Sequence, residues 1–225
     1  MRIPEHDLPL FPLNTVLFPR MALPLHVFEP RYQEMINRCI QEEIGFGVVL
    51  IKEGEEVGGQ AIPYEVGTIA RILDVKKQPD GQMNLVTMGA VRFRLLQTLD
   101  IHPYLSGEVE RWEEEMGEVS ALPRVTHVAQ QVFVEYLNDL AQVSKIAVDH
   151  DKLTVPDDPQ ILSYAIAIGL QVPNEDKQTL LEMDTVEARL RHEIALIERE
   201  RDYVKRLKSV RDFLPKKDEG GFSLN

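Results

Sequence analysis

Residues 8–51 read LPLFPLNTVLFPRMALPLHVFEPRYQEMINRCIQEEIGFGVVLI, a proline-punctuated apolar run that leads straight into a helix. Proline supplies no ladder donor, so strands in this run must be short, bulged or at sheet edges. Val16–Phe18, bounded by Pro12 and Pro19, is one strand candidate, and Ala22–Val27, interrupted by Pro24, is another. Pro30 then suits the first turn of a helix, where its missing N–H costs nothing. Tyr32, Met35, Ile36, Cys39 and Ile40 recur with the helical period, and Gly45 is a natural stop. A helix over 30–44, packed on a sheet, is predicted. Phe46–Ile51 follows as an apolar strand.

Working outward, residues 52–63 (KEGEEVGGQAIP) read as a loop, and strands are expected at 67–76, 82–88, 91–98 and 104–111. Gln78-Pro79-Asp80-Gly81 is a turn, because proline presets one dihedral and glycine permits positive φ. In VRFRLLQT, Arg92 and Arg94 fall on one strand face and Val91, Phe93 and Leu95 on the other.

The composition changes near residue 112, where WEEEMGEVSALP reads as an acidic linker. Beyond it, Val125, Val128, Val132, Tyr136, Leu140 and Val143 form a helical stripe. Asp158-Pro159 gives an N-cap and N1 proline to the nearly all-apolar helix ILSYAIAIGL. Pro173-Asn174 opens a short helix, and Asp184 with Glu187 forms a capping-box pattern. The last helix carries Leu190, Ile194, Ile197, Val204 and Leu207, with Arg201 inside the stripe. It could pack on the bundle, extend as an arm or mediate self-association. The division is therefore a β-rich domain over 1–118, a helical subdomain over 119–214 and a disordered tail over 215–225.

Apolar residues make up 44% and charged residues 28%, the balance of a folded globular chain. The net charge of −12 disfavours polyanionic partners, whose phosphates need local positive charge. Cys39 is the single cysteine, so an internal disulfide and a Cys-rich metal site are excluded. Its neighbours at helical spacing mark it as a core residue, which fits a reducing cytoplasm. The longest apolar stretch, 161–170, is too short to span a bilayer.

No catalytic motif is present: there is no G-x-S-x-G elbow and no glycine-rich loop ending in Lys-Ser/Thr. His192-Glu193 starts the pattern of a zinc-protease helix, but position 196 is Leu, and both residues read as surface groups. Ser144 and Lys145 are adjacent on a helix and point apart. His150-Asp151 lies in a polar loop, and Glu53, Glu55 and Glu56 form a solvated one. No cofactor or metal is expected.

The candidate contacts gather near the apolar opening. A peptide groove needs apolar pockets with a few directional polar groups. Arg20, Met21, Glu29, Arg31, Tyr32 and Tyr64 fit that description. The competing reading makes Arg20, Glu29 and Arg31 internal ion pairs and places Met21, Tyr32 and Tyr64 in the core. Phe18 and Phe28 are read as core, and His26 as a structural histidine.

Taken together, LPLFPLNTVLFPRMALPLHVFEPRYQEMI, EVGTIARI, DGQMNLVTMGAVRFRL and YLSGEVE resemble the N-terminal, substrate-binding domain of Lon proteases. The helical half, through LLEMDTVEARLRHEIALIERE, resembles that family's helical extension. The resemblance implies an α+β fold: a PUA-like bent β pseudobarrel with one prominent helix, followed by a C-terminal α-helical bundle. It also implies a non-catalytic module that binds unfolded or extended polypeptide segments or a protein partner. The nucleotide loop and serine–lysine peptidase domain that do the chemistry in complete Lon proteases have no counterpart here, so the chain resembles the stand-alone members. The alternatives are an RNA-binding PUA-like protein, with Lys76, Lys77, Arg92 and Arg94 supplying charge, or a structural adaptor.

Overall fold

The computed structural model describes residues 2–56, 61–144 and 155–213. Its elements run β1 (Leu8–Leu13), β2 (Ala22–Val27), α1 (Pro30–Gln41), β3 (Phe46–Gly54), β4 (Ala61–Lys77), β5 (Met83–Leu99), β6 (Ser106–Arg111), α2 (Leu122–Ser144), α3 (Pro159–Gly169), α4 (Asn174–Leu181) and α5 (Val186–Phe213). The fold is mixed α+β, with an irregular β-ring followed by helices. β5 pairs with β4 on one side and β6 on the other, and β4–β3–β1–β6 completes the ring, while β2 hangs on β5 outside it. β1 and β3 run parallel, which the α1 crossover between them makes possible.

β1 is buried at every position, because both of its faces are covered. Leu8 and Leu10 face the ring interior with Val49, Ile69 and Phe93. Phe11 and Leu13 pack with Tyr32, Met35, Ile36 and Cys39 of α1. This explains why the opening run lacks a period of two, and why the first strand lies at 8–13 and not at Val16–Phe18, which forms no strand. The interior is narrow around Phe93. A Cβ on Gly47 or Gly67 would lie 2.6 or 2.8 Å from the tip of the Phe93 ring.

α1 starts as predicted, with Pro30 in its first turn and Glu29 extended at the N-cap (φ −71°, ψ 132°). It stops at Gln41, before Gly45, because Glu43 takes the left-handed conformation (φ 55°) and the Ile44 amide donates to the Cys39 carbonyl at 3.0 Å. The turn at 78–81 forms as predicted, with Gly81 at φ 87°. The expected segments on either side of it are longer. Residues 61–77 form one strand, and 83–99 form another without a break.

In the helical half, the Asp158 side chain caps α3 by accepting from the Ile161 amide at 2.9 Å. The capping box at Asp184 and Glu187 does not form. Thr185 Oγ1 accepts from the Ala188 amide at 3.1 Å, and Glu187 instead accepts from the Glu118 amide at 3.0 Å. Arg201 sits in the α5 stripe because it reaches Glu135 and Asp139 on α2. The helical core is continuous with Val16, Phe18, Leu50 and Val66 of the β-rich half.

Three side-chain expectations change. Phe28 is 48% exposed and not core. Glu193 is fully buried and not a surface group, because it faces Ser163 and Arg189 between helices. Arg92 is 1% exposed and does not share a surface with Arg94. Its Nη1 donates to the carbonyls of Leu181 and Met183 at 2.6 and 2.7 Å, tying β5 to the end of α4. Lys145, His150-Asp151 and the tail lie outside the described residues. Among the described residues, no helix is long and apolar enough to cross a membrane.

Candidate functional site

The ring is open along part of one seam. β4 and β5 pair from Lys77↔Met83 up to Val66↔Arg94 and then part. Beyond that point β4 stays on β3, at Pro63↔Ile51 and Ala61↔Gly54, while β5 stays on β6, from Leu95↔Val109 to Leu99↔Ser106. Irregular pairing bends both strands at the parting. On β5, Leu96 is an extra residue between Leu95↔Val109 and Gln97↔Glu108. On β4, four steps from Pro63 to Gly67 oppose two on β3, from Ile51 to Val49. Bulges of this kind bend a strand and re-aim its side chains.

The fork holds a cleft of two lobes that share Ile62. The larger, about 810 Å³, has apolar walls at Tyr64, Leu96 and Trp112, with Lys52, Glu65, Arg94 and Glu182 at its rim. The smaller, about 350 Å³, is floored by Pro12, Tyr32 and Tyr104 and edged by Arg31, Thr98 and His102. Ile62 is 57% exposed and Leu96 62% exposed, so the junction and one wall are apolar and open to solvent.

Rigid supports hold both lobes. The Trp112 ring lies between two guanidinium groups, Arg92 at 4.2 Å and Arg94 at 4.0 Å. Tyr32 stacks on Phe11 at 4.1 Å between ring centroids, and burial pushes its hydroxyl pKa up. His102 bonds Asp7 at 2.9 Å through Nε2 and stacks on Tyr104 at 4.8 Å, while Arg38 bonds the same carboxylate at 2.9 Å. The histidine is thus a strut between the N-terminal segment and α1. Among the described residues, no group of three or more His, Cys, Asp or Glu side chains could hold a metal ion.

The six sequence candidates do not gather in one place. Arg31 and Tyr32 line the smaller lobe and Tyr64 the larger one. Glu29 pairs with Arg31 at 3.0 Å, at the start of α1. Met21 packs between the α1 core and the helical core. Arg20, at φ 68°, lines a separate hollow of about 250 Å³ with Trp112 and Tyr164. Sequence reasoning missed Ile62, Leu96 and Trp112. The doublet Leu95-Leu96, which breaks the alternation of β5, was the signal for a bulge. Ile62 carried no signal, because its exposure follows from the parting of two strands distant in sequence.

The chain matches the family model of the ATP-dependent protease La (LON) substrate-binding domain over residues 7–199. The Lon protease of Anaeromyxobacter dehalogenans is 32% identical over 205 residues, covering 88% of this chain and 24% of that protein. The Lon protease of Escherichia coli K12 is 27% identical over 216 residues, covering 95% of this chain and 27% of that protein. The chain thus spans about a quarter of the length of the curated relatives it matches. Among solved structures, the N-terminal domain of Mycobacterium avium complex Lon protease is similar with a TM-score of 0.66 and 20% identity, covering 85% of this chain and 98% of that one. The Lon N-terminal domain protein from Xanthomonas campestris is similar with a TM-score of 0.59 and 24% identity, covering 93% of this chain and 99% of that one. At such identities, the structural likeness shows the fold alone.

Proposed function

The chain belongs to the family of Lon substrate-binding domains, and on that premise we propose that it is a non-catalytic module that holds extended polypeptide segments in the β4–β5 cleft. The observation that carries this reading is the fork itself, a cleft of mixed polar and apolar lining between two strand edges, with Ile62 and Leu96 exposed in it. Apolar walls with a few directional groups suit a polypeptide. Arg31, Tyr32 and Tyr64 are assigned to its walls, and Arg20, Met21 and Glu29 to their support.

Residues 1–118 form the binding part in this reading, and 119–214 brace it through the shared core around Phe18 and Val66. The protein is placed in the cytoplasm, an assignment supported by a lone cysteine kept as a thiol 1% exposed. RNA binding finds no support at Arg92, whose guanidinium faces carbonyls and Glu114 inside the molecule.

Trp112 is the single tryptophan and lines the larger lobe, so it reports on occupancy. A tryptophan-free peptide of alternating valine and threonine is titrated while its emission is followed. A saturable change that Ile62→Asp abolishes, with circular dichroism unaltered, is the expected result. Binding untouched by Ile62→Asp, or no binding, would refute the assignment.

A further inference from the structure

The open edge of β5 specifies how a segment would sit, and this step rests on the polypeptide-binding function proposed above. We infer that an extended, uncharged segment with apolar side chains at alternate positions adds to β5 as a new strand along Leu96–Leu99. Past Arg94, β5 pairs with β6 alone among the described residues. Among the described residues, no other backbone hydrogen bond engages 95–99. Among the described residues, the N–H and C=O groups that face the cleft are therefore a bare row, and the alternating donors and acceptors of another extended main chain complement it.

Exposure marks the same edge. Leu96, Gln97 and Thr98 are exposed in succession, whereas a strand covered on one face shows alternation. The opposing edge of β4 carries Pro63, which has no N–H to offer, so β5 is the better template.

Side chains then set the choice of segment. A strand points every second residue to one face, and on that face the segment meets Ile62 and Leu96, 57% and 62% exposed. The rim offers both signs of charge, Lys52 and Arg94 against Glu65 and Glu182. No single charge is selected, and the apolar contacts decide. Lobes of about 810 and 350 Å³ that meet at Ile62 leave room along the strand.

The test uses the full chain and a fluorescein-labelled peptide of alternating valine and threonine, read by anisotropy. Two further versions carry N-methyl groups, one on the valine amides and the other on the threonine amides. In a bound strand only one of these sets faces β5. The expected result is a loss of about tenfold or more for one methylated version and about twofold at most for the other, in keeping with the loss of two or so backbone hydrogen bonds. Leu96→Asp, at an exposed position that leaves the core intact, is expected to weaken the parent peptide about tenfold through lost apolar contact. Equal binding by both methylated versions overturns strand addition and leaves polypeptide binding standing. No binding of the parent peptide overturns both. A concentration-dependent dimer of the free chain that Leu96→Asp dissolves assigns the edge to a second copy and overturns the proposal.

Discussion

Ser163 donates its hydroxyl to Glu193 at 3.0 Å, at a point in the helical half where neither residue reaches solvent. The same hydroxyl accepts from Arg189 Nε, so one serine links a buried cation to a buried carboxylate. Burial pushes the Glu193 carboxyl well above its ordinary value, and the Arg189 charge and the Ser163 bond offset this only in part.

A raised carboxyl pKa means that the folded state holds its proton at pH values where the unfolded chain has released it. Stability is then highest on the acid side and falls as pH rises from the ordinary value of 4.5 toward the raised one. Glu193→Gln removes that loss. We expect the variant to gain stability at neutral pH relative to pH 5, against the native chain. Urea midpoints across this range check it, and parallel curves for the two proteins would show that Glu193 titrates normally.

Asp7 behaves in the opposite sense. Partial burial pushes its pKa up, but the His102 hydrogen bond and the Arg38 charge outweigh burial and hold it below the ordinary 3.8. Its contribution is present above 3.8 and is lost as pH falls through the lowered native value. Asp7→Asn should flatten the acid limb of the stability curve, with a small effect because the site is partly exposed. An acid limb of unchanged slope would count against the assignment.

Arg92 is the fastener between the two halves. Arg92→Met leaves the Leu181 and Met183 carbonyls without their donor inside the molecule, while Glu114 keeps Arg189 and Gln160. A loss of about 3 kcal/mol is expected. Trp112 loses one of its two guanidinium faces at the same time, so its emission should shift in the native state. A stable variant with native emission would remove Arg92 from this role.

Phe93 needs the space left by glycine. Gly67→Ala sets a methyl group 2.5 Å from the Val48 carbonyl and 2.8 Å from the Phe93 ring. A loss of about 1–3 kcal/mol is expected. Phe93→Leu should recover part of it, which a double-mutant cycle in urea would read as coupling. Strict additivity would mean that the backbone contact with Val48 alone sets the cost.

Local chemistry was readable from the chain. Pro30, the Asp158 cap and the turn at Gly81 each act through their own backbone, and each stands where its residue type predicts. The first strand was misplaced because Leu8–Leu13 has no face left polar. Glu193 looked like a surface residue because nothing in a helical period tells a buried charge from a solvated one when its partners lie elsewhere in the chain. The cleft was half visible. Arg31, Tyr32 and Tyr64 combine apolar area with nearby polar groups within the local sequence, whereas Ile62 and Leu96 depend on two strands parting, a property of long-range pairing.

The ring closes between the two ends of the β-rich half, at Leu8↔Gly107 and Pro9↔Ser106. On the ribosome, β1 can therefore dock on β3 long before its second neighbour exists. Until Ser106–Arg111 has emerged, the nascent sheet carries loose edges on both β1 and β5, so closure is a late, high-contact-order event. A chain stalled before that point would be exposed to edge-to-edge pairing with its neighbours on the same message.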